Sequence, residues 1–365
     1  MLQLHVWGKD YEISIISPSC IASAILLNQI LTPQNIEFEI IPSNNTNLSN
    51  INQLPILIDT ITNKQYNGYN QIVEFIEWEY LLSNDCFKNL QEQEQKQKQK
   101  QEKLINKGLI NLLINKFEYI NQYNLYLNNK NYENYTRKLF SNYLPFPMMY
   151  NQPSKYYDQA KEQVKILGLS SKQKVGFFDF VNTNGNNEPR SGSELELEVA
   201  QTELFNDELS DEEDIEGNIA ISSLHERQLL KKSKSKQVLK ESRNSMRCLI
   251  LINQYIEKFK EIFHLQQQQQ DQQNEDKEFG FIFNNLKPSS SEILFYGYIF
   301  CLINENIPDR FIFNYLKLKH KYILKFVEKF INNNKINENK FRNPIGKEIP
   351  NLINEIKYWI GTIDY

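Results

Sequence analysis

Long uncharged apolar runs are missing from this 365-residue chain. The stretch Ile293 to Ile303, near the C-terminus, falls well short of the ~20 residues that a spanning helix needs, so no transmembrane helix is predicted. The opening residues Met1-Leu2-Gln3-Leu4-His5 show neither the basic-then-apolar pattern of a secretory signal nor an Arg-rich amphipathic pattern, so neither cleavage nor import is expected from this end. Cysteine is scarce: Cys20, Cys86, Cys248 and Cys301 lie far apart without C-x-x-C spacing, which excludes the usual zinc and redox motifs and leaves buried thiols in a reducing compartment. With only 12 glycines and no P-loop or G-x-G-x-x-G, nucleotide chemistry is not expected. The histidines His5, His225, His264 and His320 are unclustered, which leaves acid–base or metal chemistry little to work with. Neither sign of charge dominates, and a net charge of −4 sets up no field that would steer the whole chain to nucleic acid or an anionic membrane.

What is present is enough apolar material for real cores, 40% hydrophobic residues with 12% aromatic, on a length that suggests about two domains. Three polar tracts interrupt it, and such tracts lack the apolar area to offset ordering entropy. Residues 91–103 are a Gln/Glu/Lys run that is open to helix but has no apolar face. Residues 169–240 carry an acidic block from Glu194 to Glu216, then turn basic at Lys231-Lys232-Ser233-Lys234-Ser235-Lys236. Residues 266–273 are Gln-rich.

The N-terminal piece alternates strands and helices. Leu2, Leu4 and Val6 alternate with polar neighbours and end at Trp7-Gly8-Lys9-Asp10, a strand followed by a turn. Cys20 to Leu31 reads as a helix with Pro18 in its first turn. A strand at Ile36 to Ile41 follows. Leu54-Pro55-Ile56-Leu57-Ile58 pairs with Lys64 to Tyr66, and a helix runs from about Tyr69 to Leu82. The order is β-α-β, then β-β-α. Helical spacing governs the rest: Ile105 to Ile120, Ser245 to Phe263, Ser291 to Ile303, Asp309 to His320 and Tyr322 to Ile331. Ser289 with Glu292 three residues on is a capping-box pattern.

A β-α-β-β-α domain followed by helices resembles the glutathione-transferase architecture. Pro55 stands where that family has a cis-proline before its third strand, and Pro288 to Tyr298 is similar to its capped, buried C-terminal helix. More specific runs resemble the fungal metaxins: Val6-Trp7-Gly8-Lys9-Asp10, Ser43 to Ser49, Gly68 to Phe75, and Tyr135-Thr136-Arg137-Lys138-Leu139-Phe140-Ser141 continuing through Phe146-Pro147-Met148 and Tyr150-Asn151-Gln152-Pro153. The resemblance implies an α/β plus all-α chain: a thioredoxin-like domain over 1–90, a linker at 91–103, a helical domain in two parts, 104–168 and 241–365, and long disordered insertions. It also implies a non-enzymatic peripheral subunit of the mitochondrial outer-membrane sorting and assembly machinery, on the cytosolic face, that needs no cofactor. Its implied partners are the β-barrel channel subunit, a second metaxin-like subunit, the outer-membrane import translocase and β-barrel precursors. Nucleic acid is not among them.

Two other readings stand beside it. An active glutathione transferase would use Ser17 or Cys20, where a helix N-terminus favours a thiolate. Gly68-Tyr69, however, occupies the place of the family's acidic-or-amide-plus-serine pair that receives the γ-glutamyl group. The third reading is a transferase-like module of the translation apparatus, against which the Trp-Gly-Lys-Asp and Phe-Pro-Met motifs weigh. The Lys231 to Lys236 cluster lacks interleaved aromatics and reads as a solvated loop more readily than as a nucleic-acid patch. Around the helix-breaking Pro145 and Pro147, the side chains of Phe140, Tyr143, Phe146, Met148, Met149 and Tyr150 either fill a core or form an adaptable partner surface, the latter carried by Phe146, Met148, Met149 and Tyr150. Deleting residues 172–235 is expected to shift the melting temperature by no more than about 2 °C, because shortening a solvated loop changes closure entropy slowly. A calorimetric scan checks this; a large fall would show that the tract packs.

Overall fold

The computed structural model describes residues 1–81, 92–169, 223–267 and 288–360. The chain divides into two units, Met1–Ser171 with Glu241–Tyr365, and Lys172–Lys240. In the second unit the described backbone, from Ser223 onward, is helical.

In the first unit, β1 (Leu2–His5) and β4 (Phe38–Ile41) pair in parallel through the crossover helix α1 (Pro18–Leu31). β5 (Ile56–Asp59) lies antiparallel to β1, and β6 (Lys64–Asn67) antiparallel to β5, giving the strand order β4-β1-β5-β6. A parallel pair needs such a crossover, whereas β5 and β6 need only a short turn. The Leu54–Pro55 peptide that leads into β5 is cis. A second, two-stranded sheet joins β2 (Gly8–Lys9) to β3 (Glu12–Ile13). Its turn residues Asp10 and Tyr11 both have positive φ, the geometry of a tight hairpin turn. Sequence reading had only a turn here, because two-residue strands leave no alternation to read.

Helix α2 (Gly68–Ile76) packs on α1, β5 and β6 and passes into wider turns to Leu81. The polar run, from residue 92 on, lies in helix α3 (Glu92–Leu112), as Gln, Glu and Lys are good helix formers with or without an apolar face. The helical path continues through α4 (Glu118–Gln122) and α5 (Asn129–Asn131) to α6 (Arg137–Tyr143) and α7 (Met148–Lys165). Helix α8 (Ser223–Gln267) starts far earlier than the expected Ser245, inside the stretch set apart as an insertion, since no Gly or Pro interrupts it. Of the Gln-rich run, residues 268–273 lie outside the described residues. The remaining helices are α9 (Ser290–Ile303), α10 (Phe311–Lys319), α11 (Lys321–Asn333) and α12 (Leu352–Trp359). The fold is therefore mixed α/β, mostly helical, with a small N-terminal sheet. Among the described residues no helix is long and apolar enough to cross a membrane.

Helix α9 is the centre. Its start carries the expected capping box: the Glu292 backbone N–H donates to Ser289 Oγ at 3.4 Å, and the Ser289 backbone N–H donates to Glu292 Oε2 at 2.8 Å. The first turn is also held from outside, by Asn106 Oδ1 accepting from the Ser291 backbone and by Tyr69 Oη donating to the Ser290 carbonyl at 2.6 Å. Phe295 stacks on Phe259 of α8 and meets Phe117 edge-on, while Tyr296 packs on Phe326 and Phe330 of α11. At Gly297 the helix comes so close to α1 that a Cβ would lie 3.2 Å from the Pro18 carbonyl oxygen.

The C-terminal part returns to the sheet. Residue Phe341 bridges Ile40 in parallel, and the Arg342 backbone N–H donates to the Ile40 carbonyl, so this strap covers the free edge of β4. Replacing Gly297 by Val is expected to destabilise the protein by about 1–3 kcal/mol through overpacking against α1. Urea titration of wild type and variant checks this, and an unchanged midpoint would show that the two helices can separate freely.

Candidate functional site

Three of the four motifs singled out along the first 153 residues, those beginning at Val6, Ser43 and Tyr135, meet at one corner. Trp7 is buried and packs on Phe140 edge-to-face, ring centres 5.5 Å apart, and on Tyr143 and Tyr156 at 6.3 and 6.2 Å. Gly8 follows because a Cβ there would collide with the Glu12 carbonyl of the hairpin partner. Asn44, itself at positive φ, clamps Gly8 from both sides. Its Oδ1 accepts from the Gly8 backbone N–H at 2.8 Å, and its Nδ2 donates to the Gly8 carbonyl at 2.9 Å. Asn45 Nδ2 donates to the Lys347 carbonyl on the C-terminal strap, and Gln152 Nε2 on α7 donates to Thr46 Oγ1. The buried loop Ser43–Ser49 thus joins the hairpin, the strap and α7.

Thr136, within the longest motif, is buried and donates to the Leu125 carbonyl at 2.7 Å. Helix α6 ends at Tyr143 and α7 begins at Met148, as the intervening prolines require, with a cis peptide at Phe146–Pro147. The partner-surface candidates divide here. Met148 and Met149 are half-buried and pack against the core. Phe146 is 74% exposed and Tyr150 51% exposed, and the two rings lie edge-to-face with centres 6.2 Å apart. Phe140 is fully buried, a core residue. The separation of these six side chains was not readable in sequence, because all of them are apolar or aromatic and only the sharp corner decides which ones face in.

Around the start of α1 the chemistry does not favour a nucleophile. Cys20 is fully buried, and burial pushes its thiol up to about 12, opposite to what a reactive thiolate needs. Gly68 sits at positive φ and its N–H donates to the Pro55 carbonyl, while Tyr69 is buried with its hydroxyl committed to helix α9. Neither can act as the polar pair that a γ-glutamyl group would require. Nearby is a carboxyl that the sequence pattern did not mark: Glu118 on α4 accepts from Tyr298 Oη at 3.0 Å and from Gln122 Nε2 at 3.4 Å. Burial raises its pKa to about 7 despite these bonds.

Of the histidines, His5 is buried under the strap with neither ring nitrogen hydrogen-bonded, and desolvation lowers its pKa to about 4. His320 is buried and bonds Asn253 at 2.9 Å. The side chains of His225, His264, Lys231, Lys232, Lys234 and Lys236 lie outside the described residues. Among the described residues no group of His, Cys, Asp or Glu could hold a metal ion.

Residues 20–157 match the family model Tom37, described as outer mitochondrial membrane transport complex protein. Residues 205–363 match the model for the Tom37 C-terminal domain. No individual curated protein matches the chain.

The raised pKa of Glu118 has a definite sign. In the folded protein the carboxyl holds its proton to about pH 7, whereas the unfolded chain releases it near 4.5, so the stabilising contribution is full below 4.5 and lost as pH rises through 7. Glu118→Gln is therefore expected to match wild type at pH 4 and to exceed it at pH 8, by at most about 3 kcal/mol. Melting curves across that range check it; identical profiles would show that Glu118 ionises without cost.

Proposed function

This chain belongs to the Tom37 family of outer mitochondrial membrane transport complex proteins, and we propose that it is a non-enzymatic peripheral subunit that works by holding other proteins. The architecture is that of a glutathione transferase. The strand order β4-β1-β5-β6 with the cis Leu54–Pro55 bond before β5 supports this, as does the capped, buried α9. We propose its division as a thioredoxin-like domain over 1–90 and a helical domain in two parts, 104–168 and 241–365. In this reading the transferase scaffold is kept and its chemistry is not. Cys20 is sealed as a thiol, and Gly68-Tyr69 serves packing.

The proposed work is in the sorting and assembly machinery on the cytosolic face of the outer membrane. There the chain helps fold and release β-barrel precursors, alongside the β-barrel channel subunit and a second metaxin-like subunit, and links that machinery to the import translocase. The observation that carries a docking role is the pair Phe146 and Tyr150, two aromatic rings held outward on a rigid corner. Aromatic anchors on a preorganised support are what interfaces concentrate energy in. Met148 and Met149 lie behind them as deformable packing.

The test is a double substitution, Phe146→Asp with Tyr150→Asp, in the tagged full-length chain. The melting temperature is expected to stay within about 2 °C of wild type, since exposed side chains contribute little to folding. Co-recovery of the β-barrel subunit from mild-detergent mitochondrial extract is expected to fall about tenfold or more, the scale of a lost hot spot. Unchanged recovery with unchanged stability would remove the corner as a docking site.

A further inference from the structure

The densest run of exposed apolar side chains among the described residues lies away from the aromatic corner, at the C-terminal end. Helix α12 carries Leu352, Ile353 and Ile356 exposed, and Ile360, whose N–H still donates to the Ile356 carbonyl, is 69% exposed. Spacings of three and four residues put them on one face of the helix. Ile345, 66% exposed, and Ile349 precede them in the strap.

The strap that leads into the helix is tied to the sheet. The Arg342 guanidinium donates to both carboxylate oxygens of Glu348, at 3.0 and 2.8 Å, a bidentate pair that folds the strap on itself, and to Glu39 Oε2 of β4 at 2.9 Å, which ties the strap to the sheet edge. Asn351 Oδ1 accepts from the Asn354 backbone N–H at 2.7 Å, capping the start of α12. An amphipathic helix is thus presented on a short, tethered arm.

We propose that α12 is a docking helix whose apolar stripe inserts into an uncharged hydrophobic groove of another subunit of the outer-membrane complex, a proposal that rests on the reading of this chain as a complex subunit. Anchors spaced by three and four residues are the pattern of helix-in-groove recognition. A lipid surface fits less well. Eight residues span only about 12 Å, too short to cross a bilayer. Interfacial helices also draw on a Lys/Arg-rich polar face, whereas α12 carries one acid, Glu355, and one base, Lys357, and has no net charge.

The experiment places a photo-crosslinking side chain at position 356 of the full-length protein in intact mitochondria, with position 325 on the exposed side of α11 as control. The expected result is one protein adduct at 356, absent at 325, whose crosslinked residues map to apolar side chains of a transport-complex subunit. Ile353→Asp should lower its yield at least tenfold while leaving the melting temperature unchanged. Adducts with lipid, with a second copy, with the same chain or with nothing would each overturn the proposal, as would a fall in melting temperature for Ile353→Asp. Co-purification of the β-barrel subunit with the protein carrying the probe separates the two failures. If it persists without a 356 adduct, only the docking helix is wrong; if it is absent from wild type as well, the subunit reading itself falls.

Discussion

The close approach of α1 and α9 at Gly297 is the contact on which the first unit depends. Twelve of the fourteen residues of α9 are buried, so the helix touches α1, α3, α4, α10 and α11 at once. A helix that is apolar all round has no solvent face and must be enclosed. Its polar ends then become the difficulty, because four backbone N–H groups at the start of a helix need partners. The Ser289–Glu292 box and Asn106 supply partners for three of them, those of Ser289, Ser291 and Glu292. Ser290 Oγ in turn donates to Glu77, whose pKa burial raises, so the cap also joins the helical part to the end of α2.

The same packing keeps the thiols beside the start of α1 protonated. In closing over the start of α1, α9 brings Tyr298 to Glu118 and keeps Cys20 and Cys301 in an apolar setting that disfavours a thiolate. A helix N-terminus can lower a thiol pKa, but at Cys20 desolvation outweighs it. What remains outward is shape: the Phe146–Tyr150 corner and the apolar face of α12. Each is braced by polar contacts that converge on the Ser43–Ser49 loop or the strap beside it.

Much of the scaffold was legible because its signals are local. The β1 alternation, the apolar run of α1, the turn before β6 and the capping box at Ser289 all depend on residues within a few positions of one another, and all appear close to where they were expected. Elsewhere the signals are weak or distant. Residues 92–103 lack an apolar face, so burial patterning is silent there and only intrinsic propensity speaks for a helix. The hairpin at Gly8 to Ile13 is too short to show period two, although Gly8 was marked by its motif. Glu118 went unmarked, because nothing in a sequence shows that Tyr298, 180 residues away, will cover it.

By itself the sequence determined the family, the order of elements, the cis-prone Pro55 and the scarcity of catalytic groups, since these follow from residue identity and short spacing. It could not sort Phe140, Phe146, Met148, Met149 and Tyr150 into inside and outside, nor show that Arg342 would tie the C-terminal strap to Glu39 across 303 positions. Only the tertiary structure decided those points. Burial is a property of what lies opposite a side chain, and for these residues the opposing surfaces come from segments far away in the chain.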